Sequence, residues 1–198
     1  MARRAKKVAV ILSGCGYLDG SEIHEAVCTL LALDQQGAEV PCLAPNVNQL
    51  DVVNHLTGEK TQETRNVLVE SARIARGNVK DLAQANADEY DAVILPGGYG
   101  AAKNLCNFAT MGSNCSVDPI VEKFLREVHS KGKPIGALCI APALIARLFG
   151  SDFKVEVTIG KDKDVAAAVE KMGAKHKNTS VSEVAVDKKN KIVTTSCY

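Results

Sequence analysis

Cys139 stands between a short apolar run, Ile135 to Leu138, and a second one, Ala143 to Ala146, with Pro142 just beyond it. The whole stretch is too long for one strand and reads as strand, sharp turn, helix. Pro142 then falls in the first helical turn, where its missing N–H costs nothing. Cys139 is thereby placed at the C-terminal end of a strand and against a helix N-terminus, whose partial positive charge favours thiolate over thiol. Gly136 is the small residue that such a crowded turn requires nearby. The plainer alternative is a buried cysteine in an apolar run, since free Cys is among the most buried residue types.

A thiolate nucleophile needs a partner for its proton and donors for the oxyanion it creates. Glu22, at the start of a helix, can hold the proton. An ionised carboxylate beside Cys139 would raise the thiol pKa, so the useful arrangement is one proton shared between the two groups. The Pro96-Gly97-Gly98 turn can offer a backbone N–H with no side chain in the way, and the N–H of Ile140 can offer another. Taken singly, the two glycines also suit an ordinary tight turn, and Glu22 also suits a carboxylate that satisfies the helix dipole.

These residues must be brought together by the elements around them. Val8 to Leu12 and Asp91 to Leu95 are continuous apolar runs of the kind buried on both faces of a parallel sheet. Ser21 is a good N-cap for a helix through Asp34, stopped by Gly37, and Glu39 to Ala44 resembles a second strand ended by Pro45. Residues 46–65 are polar and break the alternation, with a short hairpin around Thr57-Gly58. Helices follow over Asn66 to Arg76, after Gly100, and over Ile120 to Ser130 behind Asp118-Pro119; Val121, Phe124, Leu125 and Val128 share one face of the last. A strand near Lys154–Ile159, a helix Asp162–Met172 and two strands, Ser182–Val186 and Lys191–Thr195, close the chain. The pattern predicts one α/β domain with a doubly wound, mostly parallel sheet and helices on both faces. Sites in such folds lie at the carboxyl ends of the strands, which collects the loops holding Glu22, Gly97-Gly98 and Cys139.

Composition narrows the function. The chain has 198 residues, 46% apolar and 24% charged, and a formal net charge of +1. That balance gives no long-range attraction to nucleic acid or an anionic membrane, and four Tyr, four Phe and no Trp make a poor base-stacking surface. Seven cysteines without CxxC or Cys/His ligand spacing indicate neither a disulfide framework nor a zinc site. The expectation is a soluble protein of a reducing compartment, with no metal, no nucleic acid and no membrane partner.

The segment Ile94 to Leu105 and the Cys139 turn resemble the DJ-1/PfpI superfamily, with its class I glutamine-amidotransferase-like fold. Ser13-Gly14-Cys15-Gly16, Asp19 to Glu25, Thr64 to Leu68, Ala72 to Gly77, Cys139 to Pro142 and Lys191 to Thr195 are similar to its ES1/ElbB branch. The resemblance implies a flavodoxin-like sheet and a nucleophile-elbow cysteine at Cys139, with the helix-start glutamate at Glu22. It also implies one domain over 1–198 forming a homodimer. It further implies cofactor-free, glyoxalase III-like conversion of glyoxal or methylglyoxal, a small dicarbonyl or aldehyde substrate, to the hydroxy acid. Cys139 would form a hemithioacetal and Glu22 would shuttle protons. The rival function is a cysteine redox sensor or a binding protein of the same fold.

The chain departs from the resemblance in two places. Ile140 follows Cys139 where protease-like members place a histidine, and His176 suits a helix-to-strand turn, which disfavours amidase or protease chemistry. Relatives also continue past the last strand into a C-terminal helix, whereas this chain stops at Tyr198. Cys15, His24, Lys103 and Asn104 are further pocket candidates: Cys15 as a resolving thiol, His24 at the pocket mouth, and Lys103 and Asn104 against a substrate carboxylate. Cys28, Cys42, Cys106, Cys115 and Cys197 read as structural or incidental. The compartment is expected to be the cytoplasm, or the mitochondrial matrix for a eukaryotic protein with a removed presequence.

Overall fold

The apolar runs become neighbouring strands. In the computed structural model, which describes residues 4–196, β1 (Val8–Ile11), β2 (Cys42–Ala44), β3 (Val79–Asp81), β4 (Ala92–Leu95), β5 (Ile135–Leu138), β8 (Val184–Asp187) and β9 (Ile192–Thr195) form one sheet. Its order is β3-β2-β1-β4-β5-β9-β8, and only the β8–β9 pair is antiparallel. β6 (Glu156–Val157) and β7 (Lys175–His176) make a separate two-stranded sheet.

Side-chain alternation along the strands divides the core in two. Ala9, Ile11, Leu43, Val93, Leu95, Ile135, Ala137 and Ile192 point to the side covered by α3 (Tyr99–Lys103), α4 (Phe108–Met111), α5 (Pro119–Ser130), α6 (Ala141–Phe153) and α7 (Lys163–Lys171). Val10, Leu12, Cys42 and Ala44 point the other way, against α1 (Ile23–Gln35) and α2 (Val67–Ile74). Helices therefore stand on both faces, and the mostly parallel α/β sheet read from the alternation is the fold. The second face is covered over β1 to β3. Beside α1, an apolar groove of about 460 Å³ has Ile94, Leu138 and Val193 in its walls.

Several boundaries differ from the sequence reading. The expected strand over Glu39–Ala44 shortens to β2, because Pro41 lacks an N–H and only a lone Lys7–Glu39 bridge precedes it. The Lys154–Ile159 segment yields only β6, which joins β7 rather than the main sheet. β3 has no counterpart in the sequence pattern, because Val79-Lys80-Asp81 is a short, half-exposed edge strand with no apolar run. Helix α1 starts at Ile23 with Glu22 as N-cap; the hydroxyl of Ser21 instead accepts the Ser13 N–H at 2.8 Å. The hairpin near Thr57-Gly58 is present as a Val53–Lys60 bridge closed by Gly58 N–H to Asn54 O at 2.7 Å.

What positions the carboxyl-edge loops is a set of close backbone approaches. A Cβ on Gly100 would lie 2.5 Å from the Gly20 backbone and 2.6 Å from Ser13 O. Asn104, buried at the end of α3, donates to Ser13 O at 2.9 Å and Asp19 O at 2.8 Å and accepts from the Leu50 N–H at 3.0 Å. Gly100→Ala is thus expected to cost about 1–3 kcal/mol, as an added methylene does in a filled core. Denaturant unfolding would register this as a lower midpoint at unchanged slope.

Candidate active site

Cys139 follows β5 directly and precedes α6, whose first turn contains Pro142. The β5–β9 pairing, which ends at Leu138 and Thr195, continues for one more bond, Cys139 N–H to Thr195 O at 3.2 Å. To leave the strand and enter the helix at once, Cys139 adopts φ 59°, a left-handed backbone that a non-glycine residue occupies only when its surroundings enforce it. The side chain remains half-buried.

Gly97 lies against that side chain. A Cβ there would come within 2.4 Å of Cys139 Cβ and 2.7 Å of Glu25 Oε2. Gly98, at φ 90°, lies equally close to the α1 entry, with Glu22 N only 2.3 Å from where a Cβ would be. Both glycines are needed for three loops to meet, which a solitary turn would not require.

Glu25 presents a carboxyl group hydrogen-bonded to Cys139, its Oε2 2.7 Å and the Cys139 Sγ 3.0 Å from the point where a Gly97 Cβ would stand. Its Oε2 also accepts the Gly97 N–H at 2.8 Å. Burial pushes the Glu25 pKa up against the pull of the Gly97 and Cys139 hydrogen bonds, and the nearby negative Glu22 adds to the rise. A carboxyl group in this state can carry the proton that a thiol gives up on becoming thiolate, so the pair can share it.

The position expected for this role was Glu22. The structure uses Glu22 as the N-cap of α1: Oε2 accepts the Glu25 N–H at 2.6 Å, and Oε1 lies 2.8 Å from His24 Nδ1. With φ −64° and ψ 119°, Glu22 sits outside the helix, and the first-turn residue that reaches Cys139 comes three positions later. The signal in the sequence is the i, i+3 spacing of Glu22 and Glu25, which puts the second acid in the first turn of the helix that the first one caps.

The remaining candidates separate clearly. The Gly97 N–H is occupied by Glu25, so it is not available to an oxyanion while that bond stands. The N–H groups of Gly98 and Ile140 have no acceptor among the described residues. His24 is mostly exposed and pairs with Glu22. Lys103 does not face a substrate space: Nζ donates to Leu18 O at 2.9 Å and pairs with Asp51 at 3.0 Å, while Asn104 is the buried clamp described above. Cys15 is half-buried beside α2; burial and the charge of Glu70 raise its pKa, Arg73 opposes the rise and Asp19 adds to it. Its thiol is therefore held protonated rather than activated.

His176 lies in β7 and accepts the Ile159 N–H at 3.2 Å. His55 bonds to the Leu18 N–H and Val53 O, and the His129 ring stacks on Phe149 at 4.4 Å. Cys42, Cys106 and Cys115 are buried, and burial pushes the Cys106 thiol up to about 12; Cys28 is exposed on α1, and Cys197 lies outside the described residues. Among the described residues no group of three or more His, Cys, Asp and Glu side chains could hold a metal ion, and no helix is long and apolar enough to cross a membrane.

Residues 6–198 match the profile of the DJ-1/PfpI family. The chain belongs to the DJ-1/PfpI family. It is 48% identical over 206 residues to the human protein named glutamine amidotransferase-like class 1 domain-containing protein 3, mitochondrial, covering 99% of this chain and 76% of that one. The zebrafish protein named ES1 protein, mitochondrial, is 36% identical over 208 residues, covering 96% of this chain and 76% of its own length. Among solved structures, an isoprenoid biosynthesis protein with amidotransferase-like domain from Ehrlichia chaffeensis superposes with a TM-score of 0.89 at 44% identity. That match covers 96% of this chain and 87% of the other. A Drosophila melanogaster DJ-1beta structure, with TM-score 0.58 and 21% identity, shares the DJ-1/PfpI fold.

The burial of Glu25 has a consequence for stability with a definite sign. Its folded pKa is raised, so stability is fully present below the unfolded carboxylate pKa and declines as pH rises through the folded value. Glu25→Gln keeps an acceptor for the Gly97 N–H and removes the ionisation. Thermal melts should therefore show the variant more stable than the parent at neutral pH, with the difference closing as pH falls below the ordinary carboxylate value of 4.5.

Proposed function

We propose that this protein is a cofactor-free, glyoxalase III-like enzyme that converts glyoxal or methylglyoxal to the corresponding hydroxy acid. The observation that carries this reading is the hydrogen bond between Glu25 and a cysteine held in a strand-to-helix elbow. Family membership supports it, since DJ-1/PfpI proteins include glyoxalase-like and redox-sensing members.

In the reaction, the Cys139 thiolate adds to the aldehyde carbon and the oxyanion takes a proton, giving a hemithioacetal. Gly98 and Ile140 offer N–H groups for the developing charge. Glu25, rather than Glu22, removes the proton from the former aldehyde carbon and returns one to the neighbouring carbonyl carbon through an enediol. The aldehyde carbon is oxidised to a thioester while its neighbour is reduced to the alcohol, so no external oxidant or reductant takes part. Water then cleaves the thioester, releasing the hydroxy acid and regenerating Cys139. Glu22 has a positioning role, holding the first turn of α1 so that Glu25 faces the sulfur. By the names of the human and zebrafish relatives, the mitochondrion is the compartment in which we expect this chemistry.

Multiple-turnover conversion of methylglyoxal to lactate without glutathione tests the proposal. Cys139→Ala should abolish turnover, and Glu25→Gln should lower kcat/KM by about 10²–10⁴-fold, as loss of a general acid–base does. Glu22→Gln should produce a smaller loss. A parent that stops near one equivalent of dicarbonyl per thiol, while Cys139 still reacts with peroxide, would replace the enzyme by the redox sensor.

A further inference from the structure

At the edge of the sheet opposite Cys139 lies a cleft of about 400 Å³, bounded by the end of α6, by β6 and β7, and by the β8–β9 turn. The two places are at opposite ends because β9 begins beside that turn and finishes beside Cys139. Four lysines line the cleft: Lys154 at the C-cap of α6, Lys175 at the start of β7, and Lys188 and Lys189 in the turn. None of them forms an ion pair with a described residue.

The two carboxylates in the walls, Glu156 and Asp187, are outnumbered by the lysines, four cations against two anions. Asp187 is also committed elsewhere: Oδ2 accepts the Glu156 N–H at 2.9 Å and Asn190 Nδ2 at 2.7 Å, and Oδ1 accepts the Asn190 N–H at 3.0 Å. It holds the turn in shape and has little accepting capacity left for an ammonium. Like charges gathered around one concavity repel each other, and an anion between them reverses the sign of that interaction. Lysine ammonium groups are compact point charges suited to phosphate oxygens. The cleft is in the size range of small-molecule sites, about 300–1,000 Å³. With a chain net charge of +1, the positive charge is local and lacks the extended basic surface that nucleic acid requires.

We infer that this cleft binds a compact polyphosphate, a small ligand carrying a di- or triphosphate group, through Lys154, Lys175, Lys188 and Lys189. The inference is independent of the chemistry at Cys139. Isothermal titration with inorganic tripolyphosphate should give saturable one-to-one binding that weakens with added salt, and inorganic orthophosphate should bind more weakly. Lys188→Gln combined with Lys189→Gln should weaken binding about tenfold, as should Lys154→Gln, because each removes charge-assisted hydrogen bonds. Lys123→Gln, on the exposed face of α5, should leave the isotherm unchanged. Absence of saturable binding, or equal weakening by Lys123→Gln and the cleft variants, overturns the inference.

Discussion

Gly97 touches both halves of the candidate site at once. Its N–H holds Glu25, and its missing side chain leaves room for the Cys139 Cβ, which an added Cβ would approach to 2.4 Å. A larger residue would displace the strand-to-helix turn, the carboxyl group, or both. The distance between sulfur and carboxyl thus depends less on either residue than on how closely the β4–α3 turn can approach them. That approach is secured from the other side by Gly98 and Gly100, which bring the α1 entry loop into backbone contact with the same turn.

The arrangement stores unfavourable terms at one point. Cys139 is left-handed without being glycine, and Glu25 is a half-buried carboxyl group beside a second acid. Each would be relieved by local rearrangement, so both must be held by the surrounding structure. The holding is visible: a fully buried core beneath α6, the strand-like bond from Cys139 to Thr195, and the cap that Glu22 supplies to α1. The raised pKa of Glu25 and the left-handed backbone of Cys139 therefore fall in the same half-buried spot.

The polar excursion after β2 serves the same loops. Asp19 accepts the Val53 N–H at 2.8 Å, Lys103 pairs with Asp51, and Lys60 reaches Asp51 at 2.7 Å. Residues that looked available for a ligand, Lys103 and Asn104, are instead the ties that fasten this segment to the β1–α1 loop. Because Lys103 is largely shielded from solvent, removing Asp51 would leave its charge uncompensated, whereas Asp51 would keep Lys60 if Lys103 were lost.

Much of this was legible in the residue types. Continuous apolar runs ending in glycine turns specify buried parallel strands, and a cysteine between a strand and a proline-containing helix start specifies an elbow, because both follow from local sterics and periodicity. The choice between Glu22 and Glu25 was not local. It depended on whether Ser21 or Glu22 capped α1, and that was decided when the Ser21 hydroxyl turned to the Ser13 N–H. The roles of Gly97, Lys103 and Asn104 likewise depend on partners far away in the chain, at Glu25, Asp51, Ser13, Asp19 and Leu50. Sequence alone determined the central strands, their turns and the cysteine at the carboxyl edge, but not the edge strand β3 or the separate β6–β7 pair. Only the tertiary structure brought Glu25 beside Gly97 and Cys139, since a one-residue shift in a helix cap turns every side chain after it by about 100°.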